Sequence, residues 1–167
     1  MIRFGAVVAA LAALIVMPAY AASSALSPEA NATYLANNAK EPGVTVAPSG
    51  LQYKIIKSGF GQRPGPTDKV QVYYSGSLIN GTVFDSTEPG YPATFTVDQL
   101  IPGWTEALEI MREGDHWQLV IPANLAYGAR GAGDGAIPPN QTLVFDLELI
   151  KVLPPEKHPQ ADDDDSQ

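Results

Sequence analysis

Gln141-Thr142-Leu143-Val144-Phe145-Asp146-Leu147-Glu148-Leu149-Ile150-Lys151-Val152 sets Leu143, Phe145, Leu147 and Leu149 at alternate positions, with Asp146 and Glu148 between them. Successive side chains of a strand point to opposite faces, so this period of two predicts a strand with one face in a core and the other in water. The same pattern recurs upstream. Asp115 to Ile121 alternates Trp117, Leu119 and Ile121 against His116, Gln118 and Val120. Lys69 to Ser75 alternates Val70, Val72 and Tyr74 against Gln71, Tyr73 and Ser75. Leu51 to Lys57 and Ala93 to Val97 read as further strands, and Asn80-Gly81 reads as a turn between strand-like pieces. By this face assignment Asp146, Glu148 and His116 are solvated positions.

One segment keeps the helical period instead. Trp104, Ala107, Leu108 and Met111 share a side, and Gly114 stands where a helix would stop. Between Pro122 and Asn140 runs a stretch rich in Gly, Ala and Pro, and structureless loops of that length are usually functional or disordered. Many strands and one short helix predict an α+β fold: a curved antiparallel sheet whose apolar face the 104–111 helix covers.

Composition narrows the chemistry. The chain has 167 residues, enough for one domain with a modest core. Its 15 Gly and 15 Pro favour turns and short strands over long helices. The net charge is −8, and no Lys/Arg cluster offers phosphates a landing site, which argues against nucleic-acid partners. No cysteine is present, so disulfides, thiol nucleophiles and a lipid-bearing cysteine are excluded. With only His116 and His158, a His-rich metal site or a Ser-His-Asp triad has little to draw on.

The ends read differently from the middle. Arg3, an apolar run from Phe4 to Met17, and Ala19-Tyr20-Ala21 fit a signal peptide over 1–21, cleaved after Ala21. The run is about 14 residues, short of the roughly 20 a membrane span needs, so no membrane anchor is expected. The destination is export, the periplasm in a two-membrane bacterium. Residues 22–47 form a lead-in with one short helix, begun by Ser27 as cap, Pro28 at the first position and Glu29 in the first turn. Ala30, Tyr34 and Leu35 make a weak apolar stripe, and Asn31-Ala32-Thr33, though it matches a glycosylation triplet, reads as helix surface. After Leu153, Pro154-Pro155 ends the last strand, and residues 154–167 form an acidic tail expected to be disordered and solubilising.

Seven pieces, standing in order, carry a resemblance. They are Ser49-Gly50-Leu51-Gln52-Tyr53, Val72-Tyr73-Tyr74-Ser75-Gly76, Gly81-Thr82-Val83-Phe84-Asp85-Ser86, Ile101-Pro102-Gly103-Trp104, Ala126-Tyr127-Gly128, Ile137-Pro138-Pro139 and Leu143-Val144-Phe145-Asp146. Over residues 48–153 the chain resembles the FKBP-type peptidyl-prolyl cis-trans isomerases. That resemblance implies a bent antiparallel sheet on a short helix, and a pocket walled by Tyr74, Phe84, Asp85, Leu100, Ile101, Trp104, Tyr127, Ile137 and Phe145. Trp104 would be its floor. The Tyr127 hydroxyl and the Ile101 N–H would meet substrate carbonyls, while Asp85 and Tyr74 form a polar edge. Read from the residues alone, Phe84, Trp104 and Phe145 are ordinary core aromatics, Tyr127 pins its loop, and Asp85 is either a structural partner of Tyr74 or a substrate contact.

The resemblance implies no cofactor and no metal, and proline-containing unfolded or partly folded polypeptides as partners. The lead-in is similar to the exported subgroup that includes macrophage infectivity potentiators. Those carry a long dimerisation arm ahead of the domain; only residues 22–47 stand there, so a monomer is expected. Three departures matter: the first leaves the polar partner of Asp85 open, and the other two widen the pocket or alter its rim. Glu88-Pro89-Gly90-Tyr91 fills the loop where relatives place an Arg that meets the Asp. Ala93 stands where some relatives have a second aromatic wall. The 128–136 loop is longer by a residue than in compact eukaryotic relatives and carries Asp134 and Ala136. Affinity for macrolides, ligands of the family, is therefore not carried over. The expected activity is rotation about Xaa-Pro bonds. The alternatives are a chaperone-like binding module whose isomerase activity is incidental or lost, and a passive small-ligand binder.

Overall fold

The structure, a computed structural model, describes residues 25–153; the expected signal peptide and acidic tail lie outside the described residues. Helix α1 (Pro28–Asn38) precedes strand β1 (Val44–Val46). Strands β2 (Gln52–Lys57), β3 (Lys69–Leu78), β4 (Val83–Ser86) and β5 (Ala93–Thr96) follow. Helix α2 (Pro102–Ile110), β6 (His116–Ile121) and β7 (Leu143–Leu153) complete the fold. All strand pairs are antiparallel, in the order β1-β2-β6-β7-β3-β4, with β5 also on β3. The fold is thus α+β, as the alternating patterns imply.

The spine of the sheet is the β3–β7 ladder, which runs from Lys69 opposite Leu153 to Leu78 opposite Leu143, with one bulge beside Val72. Val70, Val72, Leu143, Phe145, Leu147 and Leu149 are all buried on its inner face. Each such side chain contributes about 1.5–3 kcal/mol by leaving water. Helix α2 covers this face with Trp104, Ala107 and Leu108. It begins two residues before Trp104, with Pro102 at its first position, where the missing N–H costs nothing. It ends at Ile110, so Gly114 does not stop it; with φ +90°, Gly114 turns the chain toward β6. Gly103 lets the helix lie directly on β6, since a Cβ there would meet Ile121 Cγ2 at 2.5 Å. Among the described residues no helix is long and apolar enough to cross a membrane.

The 122–140 stretch is ordered. Short three-ten turns at Ala123–Leu125, Gly128–Arg130 and Gly133–Gly135 are stitched by an Ala132–Ile137 bridge and an Asn140 N–H to Gly128 O bond of 2.8 Å. His116 and Asp146 lie on the outer face but are not simply solvated: Nε2 and Oδ1 are 2.7 Å apart.

Helix α1 docks by amides rather than by its weak apolar stripe. Asn31, expected on the surface, is 5% exposed. Its Oδ1 accepts the buried Thr142 N–H at 2.7 Å, and its Nδ2 donates to Gln141 Oε1 at 3.1 Å and to Ser27 O at 3.0 Å. Asn38 adds a bond to Gln52 Oε1 at 2.8 Å. The β1 strand, paired with 52–54, escapes the sequence reading because three residues between Gly43 and Pro48 show no period.

Asn31→Ala leaves the Thr142 N–H buried without an acceptor. The variant should lose about 1–3 kcal/mol in urea unfolding. An unchanged midpoint would mean that the amide contacts do not hold α1.

Candidate functional site

The site begins at a gap in the sheet. One edge of β3 is shared by two strands: β5 pairs with residues 69–72 and β4 with residues 75–77. Between them Thr87 takes over the ladder at Tyr74, with its N–H to Tyr74 O at 3.0 Å and its Oγ1 accepting the Tyr74 N–H at 3.1 Å. The Tyr74 ring therefore stands at the break, with β4 on one side and β5 on the other.

Four rings meet there. Trp104 rises from α2, and its ring lies 5.2 Å from Tyr74, 5.9 Å from Phe95 and 5.3 Å from Phe145, each within about 10° of perpendicular. Edge-to-face contacts leave an open floor, where parallel stacking would have filled the space. Trp104 Nε1 is buried and has no protein hydrogen-bond partner among the described residues.

Phe84 and Asp85 arrive together because of a bulge. Gly76 opposes Asp85, yet Ser77 opposes Val83, so Phe84 is the extra residue on β4. Adjacent side chains of a regular strand point apart; the bulge sends both inward. Phe84 then meets Phe145 edge-on at 5.7 Å. Gly76 makes room for both rings. A Cβ there would lie 2.6 Å from Phe145 Cε1 and 2.8 Å from Phe84 Cε2.

Asp85 faces Tyr74, whose hydroxyl donates to Asp85 Oδ2 at 2.6 Å. Burial first, then the hydrogen bond and charge of Asp85, push the Tyr74 phenol well above its ordinary value, so it remains a donor at neutral pH. This bond supplies the partner that the sequence left open for Asp85.

The rings, Asp85, Leu100, Ile101 and Tyr127 enclose a cavity of about 160 Å³. Tyr127 is 40% exposed and closes one rim from the 122–140 stretch. Among the described residues neither its hydroxyl nor the Ile101 N–H has a hydrogen-bond partner, so both donors are free. Of the site residues named from the sequence, eight line this cavity; Ile137 does not. Ile137 is 6% exposed and bridged to Ala132, packed in the core beneath the loop. Phe95 lines the cavity and was missed. Ala93, opposite Val72, and Phe95, opposite Val70, share the inner face two positions apart, so alternation alone does not single out Phe95 as the wall. Among the described residues no group of three or more His, Asp or Glu is placed to hold a metal ion.

Gly76→Ala should cost about 1–3 kcal/mol and alter the near-ultraviolet circular dichroism as the rings shift; an unchanged spectrum and midpoint would contradict the close packing. The Tyr74 phenol is stabilised in its protonated form, so its contribution to folding is fully present below the ordinary value and fades as pH rises through the raised one. The 295 nm titrations of wild type and Tyr74→Phe should therefore superimpose through about pH 10.5. A smaller rise in the variant below that pH would place Tyr74 among ordinary tyrosines.

Comparison with known proteins bears on this geometry. A family model described as FKBP-type peptidyl-prolyl cis-trans isomerase matches residues 61–150, and one described as the domain amino terminal to it matches 8–55. An outer membrane protein MIP of Legionella longbeachae is 58% identical over 120 residues, 71% of this chain and 51% of that protein. An FKBP-type 22 kDa peptidyl-prolyl cis-trans isomerase of Escherichia coli is 54% identical over 121 residues, 72% of this chain and 58% of that one. The chain thus spans little more than half the length of these relatives. Among solved structures, a peptidyl-prolyl cis-trans isomerase from Pseudomonas syringae superposes with a TM-score of 0.70 at 39% identity, over 82% of this chain and 97% of that one. FkpA from Escherichia coli superposes with a TM-score of 0.71 at 45% identity, over 74% of this chain and 58% of that one. With the ring-lined cavity on this sheet, and a family match over more than half of the chain, the chain belongs to the FKBP-type peptidyl-prolyl cis-trans isomerases.

Proposed function

We propose that the chain accelerates rotation about Xaa-Pro bonds in exported polypeptides as they fold, and that residues 48–153 are the catalytic unit. The observation that carries this reading is the ring-lined cavity over Trp104, with the free Ile101 and Tyr127 donors at its rim. A prolyl ring is compact, apolar and without an N–H, and so are the demands of this hollow.

The difficulty of the reaction is kinetic. Amide resonance sets a barrier of about 18–20 kcal/mol, while the cis and trans forms differ by only about 0.5–1 kcal/mol. Twisting the bond removes resonance and leaves the carbonyl less polar than before. Water favours the polar, planar form, and a dry ring-lined wall favours it less, so the twisted amide gains by difference. The Ile101 N–H and the Tyr127 hydroxyl would hold flanking carbonyls and fix the chain in a turn. No nucleophile takes part, and no proton is transferred.

Residues 1–21 are proposed as a cleaved signal, the periplasm as destination and a monomer as the working state, with proline-containing polypeptides as substrates. The altered rim leaves macrolide binding to be measured directly.

A protease-coupled assay on a short Xaa-Pro peptide tests this reading. Wild type should turn over, and Phe145→Leu and Trp104→Leu, checked for intact fold, should lose about tenfold or more, at about 1.4 kcal/mol per factor of ten. Asp85→Ala should lose less. The reverse order would point to a polar mechanism. Absence of turnover together with suppressed aggregation of a proline-free client would replace the enzyme by a chaperone.

A further inference from the structure

The loop that carries Tyr127 returns to the sheet through Ile137-Pro138-Pro139-Asn140-Gln141. Neither proline has an N–H, so an ordinary backbone ladder cannot hold this return. A side chain holds it instead. Gln141 is 6% exposed, and its Nε2 donates to Pro139 O at 3.0 Å and to Leu26 O at 3.1 Å, just ahead of α1. Its Oε1 accepts the bond from Asn31 Nδ2 at 3.1 Å, so the amide is satisfied at both ends and has one orientation. The Pro139 C=O and the Asn140 N–H belong to one planar peptide. Fixing the oxygen therefore fixes the direction of the N–H on the other side. That N–H donates to Gly128 O at 2.8 Å, one residue beyond Tyr127. Asn140 itself sits at φ +59°, a conformation uncommon for a residue with a side chain and one its surroundings must hold.

We infer that Gln141, anchored by Asn31 of α1, is a positioning residue for Tyr127: it sets the Pro139–Asn140 peptide, and that peptide sets the Gly128 carbonyl next to Tyr127. The inference rests on the proposed reading, in which the Tyr127 hydroxyl meets a substrate carbonyl. Gln141 does not line the cavity and acts at one remove. Through it the lead-in helix bears on the reaction. Placement matters because a donor displaced by about 1 Å no longer holds the substrate in a productive pose.

The test is a double-mutant cycle on kcat/KM in the protease-coupled assay. Tyr127→Phe should cost about threefold in wild type, the scale of one neutral hydrogen bond. Gln141→Met keeps the side-chain volume and removes both donations. It should cost a similar factor, and in its background Tyr127→Phe should cost almost nothing further. Asn38→Ala breaks a different α1 bond, the one to Gln52, and should leave the full cost of Tyr127→Phe. This control separates the Gln141 path from helix docking in general. Amide hydrogen exchange reads the same path without substrate. In Gln141→Met the Asn140 amide should exchange about tenfold faster while the amides of β7 keep their protection. Multiplicative, independent costs of the two substitutions overturn the inference, as does an unchanged Asn140 amide or equal acceleration throughout β7. Should Gln141→Met fail to fold, Asn31→Ala, which frees the Gln141 amide from its anchor, takes its place in the cycle. If wild type does not turn over, the isomerase reading fails on its own. The cycle is then run on peptide affinity from tryptophan fluorescence, and additivity there overturns the inference too.

Discussion

The perpendicular contact of Trp104 with Tyr74, Phe95 and Phe145 is the constraint on which the rest of this structure depends. Those three residues come from β3, β5 and β7, and Trp104 comes from the helix that covers them. The arrangement requires the helix backbone to approach the sheet more closely than most residues permit, and Gly103 against Ile121 provides that approach. It also requires that the rings not collapse onto one another. Gly76 leaves Phe84 and Phe145 the space to meet edge-on above it. The hollow is thus the complement of two absent side chains as much as of the aromatic ones present. A cavity of this kind costs contacts that a filled core would have made. The long β3–β7 ladder beneath it supplies the stability that such a site draws down.

The polar groups around the hollow are held from outside it. Tyr74 occupies the break between β4 and β5, where Thr87 replaces strand pairing. Its hydroxyl then orients Asp85. On the other flank, Asn31 of α1 fixes Thr142, the residue that leads into β7 and so toward Phe145. The lead-in helix is therefore tied to the sheet through buried amides. An amide bound to backbone at a single spot sets position more sharply than an apolar stripe that can slide.

How much of this was legible in the sequence follows from what each feature needs. The alternation in 141–152 and 69–75 reports which face is buried, and the ladder follows it. Tyr74, Phe84, Trp104, Tyr127 and Phe145 were identified through the resemblance, since the residues alone read as core. Phe95 and Ile137 show the limit of that route. Both are apolar residues near the cavity in the chain, and only the register separates the one that lines it from the one packed beneath the loop. The bulge at Phe84 carries no pattern of its own, so the inward turn of two consecutive residues was invisible. Asn31 was read as surface because an isolated polar residue on a helix usually is. Its partners, Gln141 and Thr142, lie 110 and 111 positions away, and no local pattern reports them.

Magnitudes divide the labour between floor and rim. Lowering a barrier of about 18–20 kcal/mol enough to matter takes several kcal/mol of preference for the twisted bond. An exposed carboxylate such as Asp85 offers about 0.2–1 kcal/mol to a flexible cation, and offers it alike to planar and twisted amides. Interactions that bind both states equally change which substrate is captured and leave the bond rotation untouched. On the proposed reading, the rings above Trp104 discriminate between the two states, because the difference in carbonyl polarity arises at the bond they would surround. On that reading, catalysis belongs to the apolar floor and capture of the substrate to the polar rim, and substitutions at the two should separate in their kinetics even though Tyr74 touches both.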